Sequence, residues 1–257
     1  MKLRRRQVPI IGKDNSMKGQ MKMRKGRHKI WGRFWMLFAG FGTFGRIATR
    51  IASWSSPPYF GRSRLAGLNS KGYIDPAAGI HHELFRSGKN IFLDSGVLIF
   101  QAKDGGPVEL GDRVHIYRDT IIQTGKAGSV SVGADTHIQT RCLFSAFKSP
   151  IRIGCSVQIA PNCAFYPYDH GFAPDRPIIE QPLQTKGGIT VEDDAWLGFG
   201  VVVLDGVRIG KGSVIGAGSV VTRNIPDGAV AAGVPARVVR MRAALPHETQ
   251  VKNVSAT

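Results

Sequence analysis

From Val191 to Val221 an aliphatic residue returns at every sixth position: Val191, Leu197, Val203, Ile209, Ile215 and Val221. A helix repeats at 3.6 residues and a strand at 2, so a strict six describes a short straight run, a corner and another run. Three such runs close a triangle. Two positions before each of these residues stands something small or β-branched: Ile189, Ala195, Val201, Val207, Ser213 and Ser219. A two-residue inward step is strand geometry, and a small residue beside a larger one fills a narrow interior without voids.

The same rule reaches upstream. Leu110, Ile116 and Ile122 obey it, then Val132, Ile138 and Phe144, then Ile153, Ile159 and Phe165. Val114, Thr120, Thr136, Cys142, Val157 and Cys163 fill the small slots, and fainter turns occur at Leu93 with Ile99 and Ile74 with Ile80. Some 150 residues under one inward rule predict an all-β solenoid of about seven triangular coils, each burying its apolar face on neighbours about 4.8 Å away. The rival, a sandwich of short strands, needs alternating runs and hairpin turns that this chain does not show.

The 257 residues suffice for one elongated domain with an appendage, and the 32 glycines suit repeated tight corners. The three cysteines form no disulfide framework, and Cys142 and Cys163 occupy inward slots, which fits a reduced, cytoplasmic compartment. The net charge of +17 is uneven: residues 1–33 hold twelve Lys or Arg against Asp14 alone. The basic excess therefore describes a tail, expected to be flexible, and not a nucleic-acid-reading domain.

After the tail comes FWMLFAGFGTFG, residues 34–45, among arginines. Twelve residues are too few to span a bilayer, which takes roughly 20, and the basic stretch is too long for a secretory leader. Residues 34–72 are read as a cap on the first coil or as a membrane-interface segment, with residues 1–50 touching an anionic surface. A start at Met17, Met21 or Met23 is a third reading of this region. The solenoid is assigned to residues 73–226 and a closing segment with tail to 227–257.

The six-residue rule fails at greatest length after Phe165. Between Phe165 and Val191 the chain reads YPYDHGFAPDRPIIEQPLQTKGGIT, a long excursion (loop 166–190) that leaves the coil beside His170. Such excursions from a rigid array are usually functional. IAPN at 159–162 precedes His170 by eight residues, and residues 196–240 read WLGFGVVVLDGVRIGKGSVIGAGSVVTRNIPDGAVAAGVPARVVR. In these features the chain resembles the hexapeptide-repeat acyltransferases, in particular the maltose and galactoside O-acetyltransferases and their polysaccharide-modifying relatives. The likeness covers about residues 73–242 and is most specific from 151 onward.

The resemblance implies a left-handed parallel β-helix, a homotrimer with active sites between subunits, and acetyl-CoA as acyl donor with no metal. It implies His170 as the general base, a role that histidine's ordinary pKa of about 6.5 suits near neutrality. Asp169 is a candidate to orient the imidazole, and Trp196 and Glu180 to meet the acceptor. Gly198 and Phe199 fall where relatives bind the pantetheine arm, and a backbone N–H there is placed to hold the oxyanion. Ala217, Thr222, Arg223, Arg237 and Arg240 fall on cofactor positions, with arginine suited to phosphate. Two departures stand out: TRCLFS at 140–145 lacks the asparagine usual in sugar-specific relatives, and Phe199 replaces a typically small residue. Both argue against a simple free sugar.

The expected function is acetyl transfer to a hydroxyl of a sugar, cell-surface polysaccharide or lipid-linked precursor, without an acyl-enzyme. The alternatives are N-acetylation of an amino sugar or other small amine, a zinc site of carbonic-anhydrase type, and a non-catalytic platform. His115 and His137 bear on the zinc reading, because each lies five residues after an inward aliphatic and they should stack one coil apart.

Overall fold

The computed structural model describes residues 30–243, apart from residues 55 and 59. The readings placed on residues 1–29 and 244–257 lie outside the described residues. From residue 73 the chain climbs in triangular coils, and its short strands stack into three parallel ladders. The first ladder begins at Tyr73–Ile74, Phe92–Leu93 and His115–Ile116; the second runs from Gly79–His81 to Val220–Val221 and has seven strands. The third runs from Phe85–Ser87 to Arg208–Ile209. Seven rungs in the second ladder match the seven coils expected, and the winding is that of a left-handed parallel β-helix.

The inward rule accounts for the core. Val191, Leu197, Val203, Ile209, Ile215 and Val221 are all buried, as are Ala195, Val201, Ser213 and Ser219 in the small slots. Like stacks on like: Phe144 pairs with Phe165 in register, their rings 4.5 Å apart and nearly parallel. The inward polar residues are satisfied by the corners. Ser213 Oγ donates to the Pro226 carbonyl at 2.9 Å, and Thr136 Oγ1 to the Gly154 carbonyl at 2.8 Å.

The corners differ from expectation. A left-handed residue sits just before the small slot at two corners of each coil, and in many coils it is not glycine. Asn90, Arg113, Asp135, Ser156 and Asp194 hold one corner and Asp119, Arg141 and Asn162 another, all near φ +60°. The L-residue cost there is about 1–2 kcal/mol each. Rung-to-rung side-chain bonds offset part of it: Arg113 grips the Asp135 carboxylate with two bonds at 2.6 and 2.7 Å, and Arg141 Nε donates to Asn162 Oδ1 at 3.2 Å.

Ahead of the coils lie three helices: α1, described over residues 30–36, α2 (Thr43–Ser53) and α3 (Phe60–Ala66). Met36, Ala52, Leu65 and Ala66 of these helices, with Ala39 from the α1–α2 connection, pack on Tyr73, Phe92 and Tyr117 from the outer face of the first ladder. Arg46 donates to the Ala78 carbonyl at 2.8 Å, and Arg62 pairs with Asp75 at 3.3 Å. At the other end Ala229–Ala232 adds to the first ladder and Arg237–Met241 turns back antiparallel to close it. Among the described residues no helix is long and apolar enough to cross a membrane.

Candidate active site

The excursion after Phe165 is a pinned hairpin. Asp169–His170 pairs antiparallel with Leu183–Gln184, and a turn of 3-10 helix, Ile178–Glu180, forms the tip. Three polar residues hold it. Gln181 is 9% exposed and clamps the far limb, taking the Ala173 N–H at 2.8 Å and donating to the carbonyls of Ala173 and Arg176 at 2.9 Å. Tyr168 places its hydroxyl 3.4 Å from Ser145 Oγ and its ring edge-on to Phe147. Asp205, 5% exposed, binds the returning limb through Lys186 N–H, Gly188 N–H at 3.0 Å and Thr185 Oγ1 at 3.1 Å.

His170 stands exposed on this frame with its ring 6.4 Å from that of Tyr168, and its side chain makes no hydrogen bond among the described residues. Both imidazole nitrogens are free for a ligand. Asp169 makes no hydrogen bond to the imidazole among the described residues. Consecutive strand residues point to opposite faces, and the Asp169 carboxylate looks across the hairpin to Lys186 Nζ, 4.0 Å away. Glu180 lies exposed at the hairpin tip, apart from His170.

Trp196 occupies the outer face of the first ladder, between Gln158 and Val214, and is half-exposed. Gly198 and Phe199 follow at the next corner. Gly198 is demanded there by its neighbour, because a Cβ would meet Ala217 N at 2.7 Å and Ile215 O at 3.0 Å. Its amide is committed to the Ile215 carbonyl at 2.8 Å, so it is no oxyanion donor. The Phe199 amide makes no hydrogen bond among the described residues and is the available donor at this corner. Gly198, Phe199 and Ala217 thus form one group.

Thr222 and Arg223 lie past the last rung of the second ladder, at the same edge from which the His170 hairpin leaves two rungs earlier. Arg237 and Arg240 are on the closing strand. None of these three arginines has a carboxylate partner among the described residues, whereas Arg242 pairs with Asp194 at 3.4 Å. Six of the predicted site residues therefore fall in two groups at opposite edges of the second ladder: His170 with Thr222 and Arg223 at one, and Gly198 with Phe199 and Ala217 at the other. Within one chain these edges are a strand length apart.

Sequence reasoning missed Gln181, Tyr168 and Asp205, the residues that fix the hairpin. Of these only Asp205 had a signal, an acid followed by glycine where the coil turns beneath the excursion. The stacked histidines are as expected: His115 pairs with His137 in register, rings 4.5 Å apart. Among the described residues no three His, Cys, Asp or Glu side chains converge as a metal-binding group. Cys142 and Cys163 are buried and donate to the carbonyls of Ala160 and Gly198 at 3.3 and 3.2 Å.

Residues 188–223 match the family described as bacterial transferase hexapeptide (six repeats). A galactoside O-acetyltransferase of Lactococcus lactis is 46% identical over 90 residues, 35% of this chain. That alignment spans 42% of the relative, less than half its length. The solved polySia specific acetyltransferase NeuO aligns with a TM-score of 0.52 at 21% identity, covering 71% of this chain and 89% of its own, a likeness of fold. The galactoside O-acetyltransferase of Escherichia coli is 33% identical over 159 residues, which are 56% of this chain and 75% of that protein. On that coverage, and with the coils and their long excursion in place, this chain belongs to the hexapeptide-repeat acetyltransferases that include the galactoside O-acetyltransferases.

Proposed function

We propose that this chain is an O-acetyltransferase that moves an acetyl group from acetyl-CoA to a hydroxyl of a sugar, carried on a polysaccharide or lipid-linked precursor. The observation that carries the reading is His170: an exposed imidazole without a hydrogen bond of its own, on a hairpin anchored through Asp205, Gln181 and Tyr168. His170 takes the proton of the acceptor hydroxyl as its oxygen attacks the thioester carbonyl. The Phe199 N–H holds the developing oxyanion. Collapse breaks the carbon–sulfur bond, and the departing thiolate regains the proton from His170. The ester forms without an acyl-enzyme.

Arg223, Arg237 and Arg240 are unpaired cations suited to the phosphates of coenzyme A, and Ala217 and Thr222 are open positions beside its path. Trp196 offers an aromatic face to the acceptor. Asp169, paired with Lys186, tempers the local charge, and Glu180 meets the acceptor only from the hairpin tip.

The site is completed in a homotrimer. Support comes from the second ladder, whose outward positions Leu98, Ile121, Leu143, Ala164, Val202 and Val220 form a continuous half-buried apolar stripe. The outward positions of the third ladder, Arg86, Glu109, Ser131, Arg152, Thr190 and Arg208, are polar and belong in water. The hairpin carries Ile179, 91% exposed, at its tip and Phe172, 74% exposed, on its outgoing limb, which a neighbouring protomer or acceptor would cover. Packing one stripe against another protomer sets the His170 edge of one chain against the Phe199 edge of the next, joining the two groups of site residues. We place the enzyme in the cytoplasm, a reading that its three free cysteines support.

Free-thiol release from acetyl-CoA across cell-envelope saccharides, nucleotide amino sugars and serine tests the reading. Release with saccharide hydroxyls is expected. Release confined to amino sugars assigns N-acetylation instead, and no release with any acceptor removes the acetyltransferase assignment.

A further inference from the structure

The helices ahead of the coils are amphipathic in the wrong sense for a water-facing surface. In α2 the small residues Gly45, Ala48, Thr49, Ala52 and Ser53 face the protein, while Phe44, Ile47 and Trp54 face outward, Trp54 being 85% exposed. The end of α1 and the turn after it add Phe34, Leu37 and Phe38 to the same exposed set. Phe34 lies against Phe38 at 5.6 Å and Phe38 against Phe44 at 6.2 Å, so the two helices present one aromatic surface. A water-facing helix normally buries its large apolar residues and exposes polar ones, and an apolar patch of this kind marks an interaction site.

Charge identifies what the surface meets. Between Asp14 and Asp75 the sequence has no Asp or Glu and twelve Lys or Arg. Arg33 in α1 and Arg50 in α2 are exposed on the same two helices. A second copy docking here would set these uncompensated cations against their equals, and a free polyanion has no use for the phenyl rings. An anionic lipid surface satisfies both features, with apolar side chains buried about 5–10 Å deep and cations among the phosphates.

We propose that the α1–α2 face seats this protein in the headgroup region of an anionic membrane leaflet, with Phe34, Leu37, Phe38, Phe44, Ile47 and Trp54 as the inserted side chains. The inference does not depend on the catalytic reading. If the chain assembles as a trimer, three such faces on one particle strengthen attachment by avidity.

The test is flotation of the full chain with vesicles of phosphatidylcholine, with and without phosphatidylglycerol, comparing wild type with the Phe44→Ser, Ile47→Ser, Trp54→Ser triple variant. These side chains are exposed, and circular dichroism with gel filtration checks that the variant keeps its fold and size. Wild type is expected to float with the anionic vesicles only, and the triple variant to lose about tenfold or more in partition. Raised salt and deletion of residues 1–29 should each weaken binding. Acetyl transfer to a soluble acceptor should be the same in wild type and triple variant, which separates this result from a failure of the proposed chemistry. Three results would overturn the proposal: no flotation of wild type, flotation of the triple variant undiminished, or a smaller assembly in the triple variant, which would assign the face to a second copy.

Discussion

Asp205→Asn tests whether the His170 hairpin is held by the coil beneath it. The Asp205 carboxylate is nearly inaccessible to water and receives hydrogen bonds from Lys186 N–H, Gly188 N–H and Thr185 Oγ1. Asparagine keeps the shape but replaces one acceptor oxygen with an NH₂ that faces a backbone N–H. One or two charge-assisted bonds are lost, each worth about 1.5–3 kcal/mol, with partial recovery by water. A net loss of about 2–4 kcal/mol falls on the hairpin alone, because the coil ladders do not run through it. At about 1.4 kcal/mol per decade, local opening becomes roughly 30- to 1000-fold more frequent. Native-state hydrogen exchange reads this at two amides: Gly188, and Gly171, which donates to the Pro182 carbonyl at 3.1 Å. Both should lose protection while amides within the ladders keep theirs, and the melting temperature should move little. Unchanged protection at Gly188 and Gly171 would refute the anchoring role, and so would an equal loss throughout the coils.

Three other outcomes follow from the geometry. Gly198→Ala drives a Cβ into the backbone of the next coil, 2.7 Å from Ala217 N. It should cost about 1–3 kcal/mol in urea unfolding, and an unshifted midpoint would mean that the coils yield freely. The His115 pKa is held down to about 4, first by burial and then by the charge of His137, with Asp135 opposing. As pH falls below the ordinary 6.5 the unfolded chain takes up a proton that the folded chain refuses, so stability should be level above that value and decline towards pH 4. His115→Gln should flatten the decline, and a gain in stability on acidification would contradict the burial. Substituting Ala for Arg223, Arg237 or Arg240 should raise KM for acetyl-CoA by about tenfold each with little change in kcat. An effect confined to kcat would remove these residues from the phosphate contacts.

The inward residues of the coils were legible because a narrow prism leaves one solution, an apolar or small side chain at every second and sixth place; they are buried from Leu93 to Val221, and in the first coil Ile74 is buried while Ile80 is half-buried. The corners were less so, since glycine is only one way to reach a positive φ, and Asp135 or Asn162 reaches it with a cross-rung bond in compensation. The hairpin was legible as an interruption but not as a structure. Its strands are two residues long, and its stability comes from Gln181 and Asp205, whose roles depend on carbonyls and amides brought together only by the fold. Asp169 illustrates the same limit: it adjoins His170 in sequence, while its carboxylate faces Lys186 across the hairpin. The aromatic run at residues 34–45 showed an unusual segment, but which side of each helix its rings take depends on small residues such as Ala48 and Ala52 packing inward.

The central claim is that His170 removes the proton of the acceptor hydroxyl, and kcat/KM of His170→Ala with acetyl-CoA and the best acceptor tests it most directly. The account predicts a fall of about 10²- to 10⁴-fold, with an unchanged circular dichroism spectrum and an unchanged KM for acetyl-CoA. Wild-type turnover by the folded variant would contradict it.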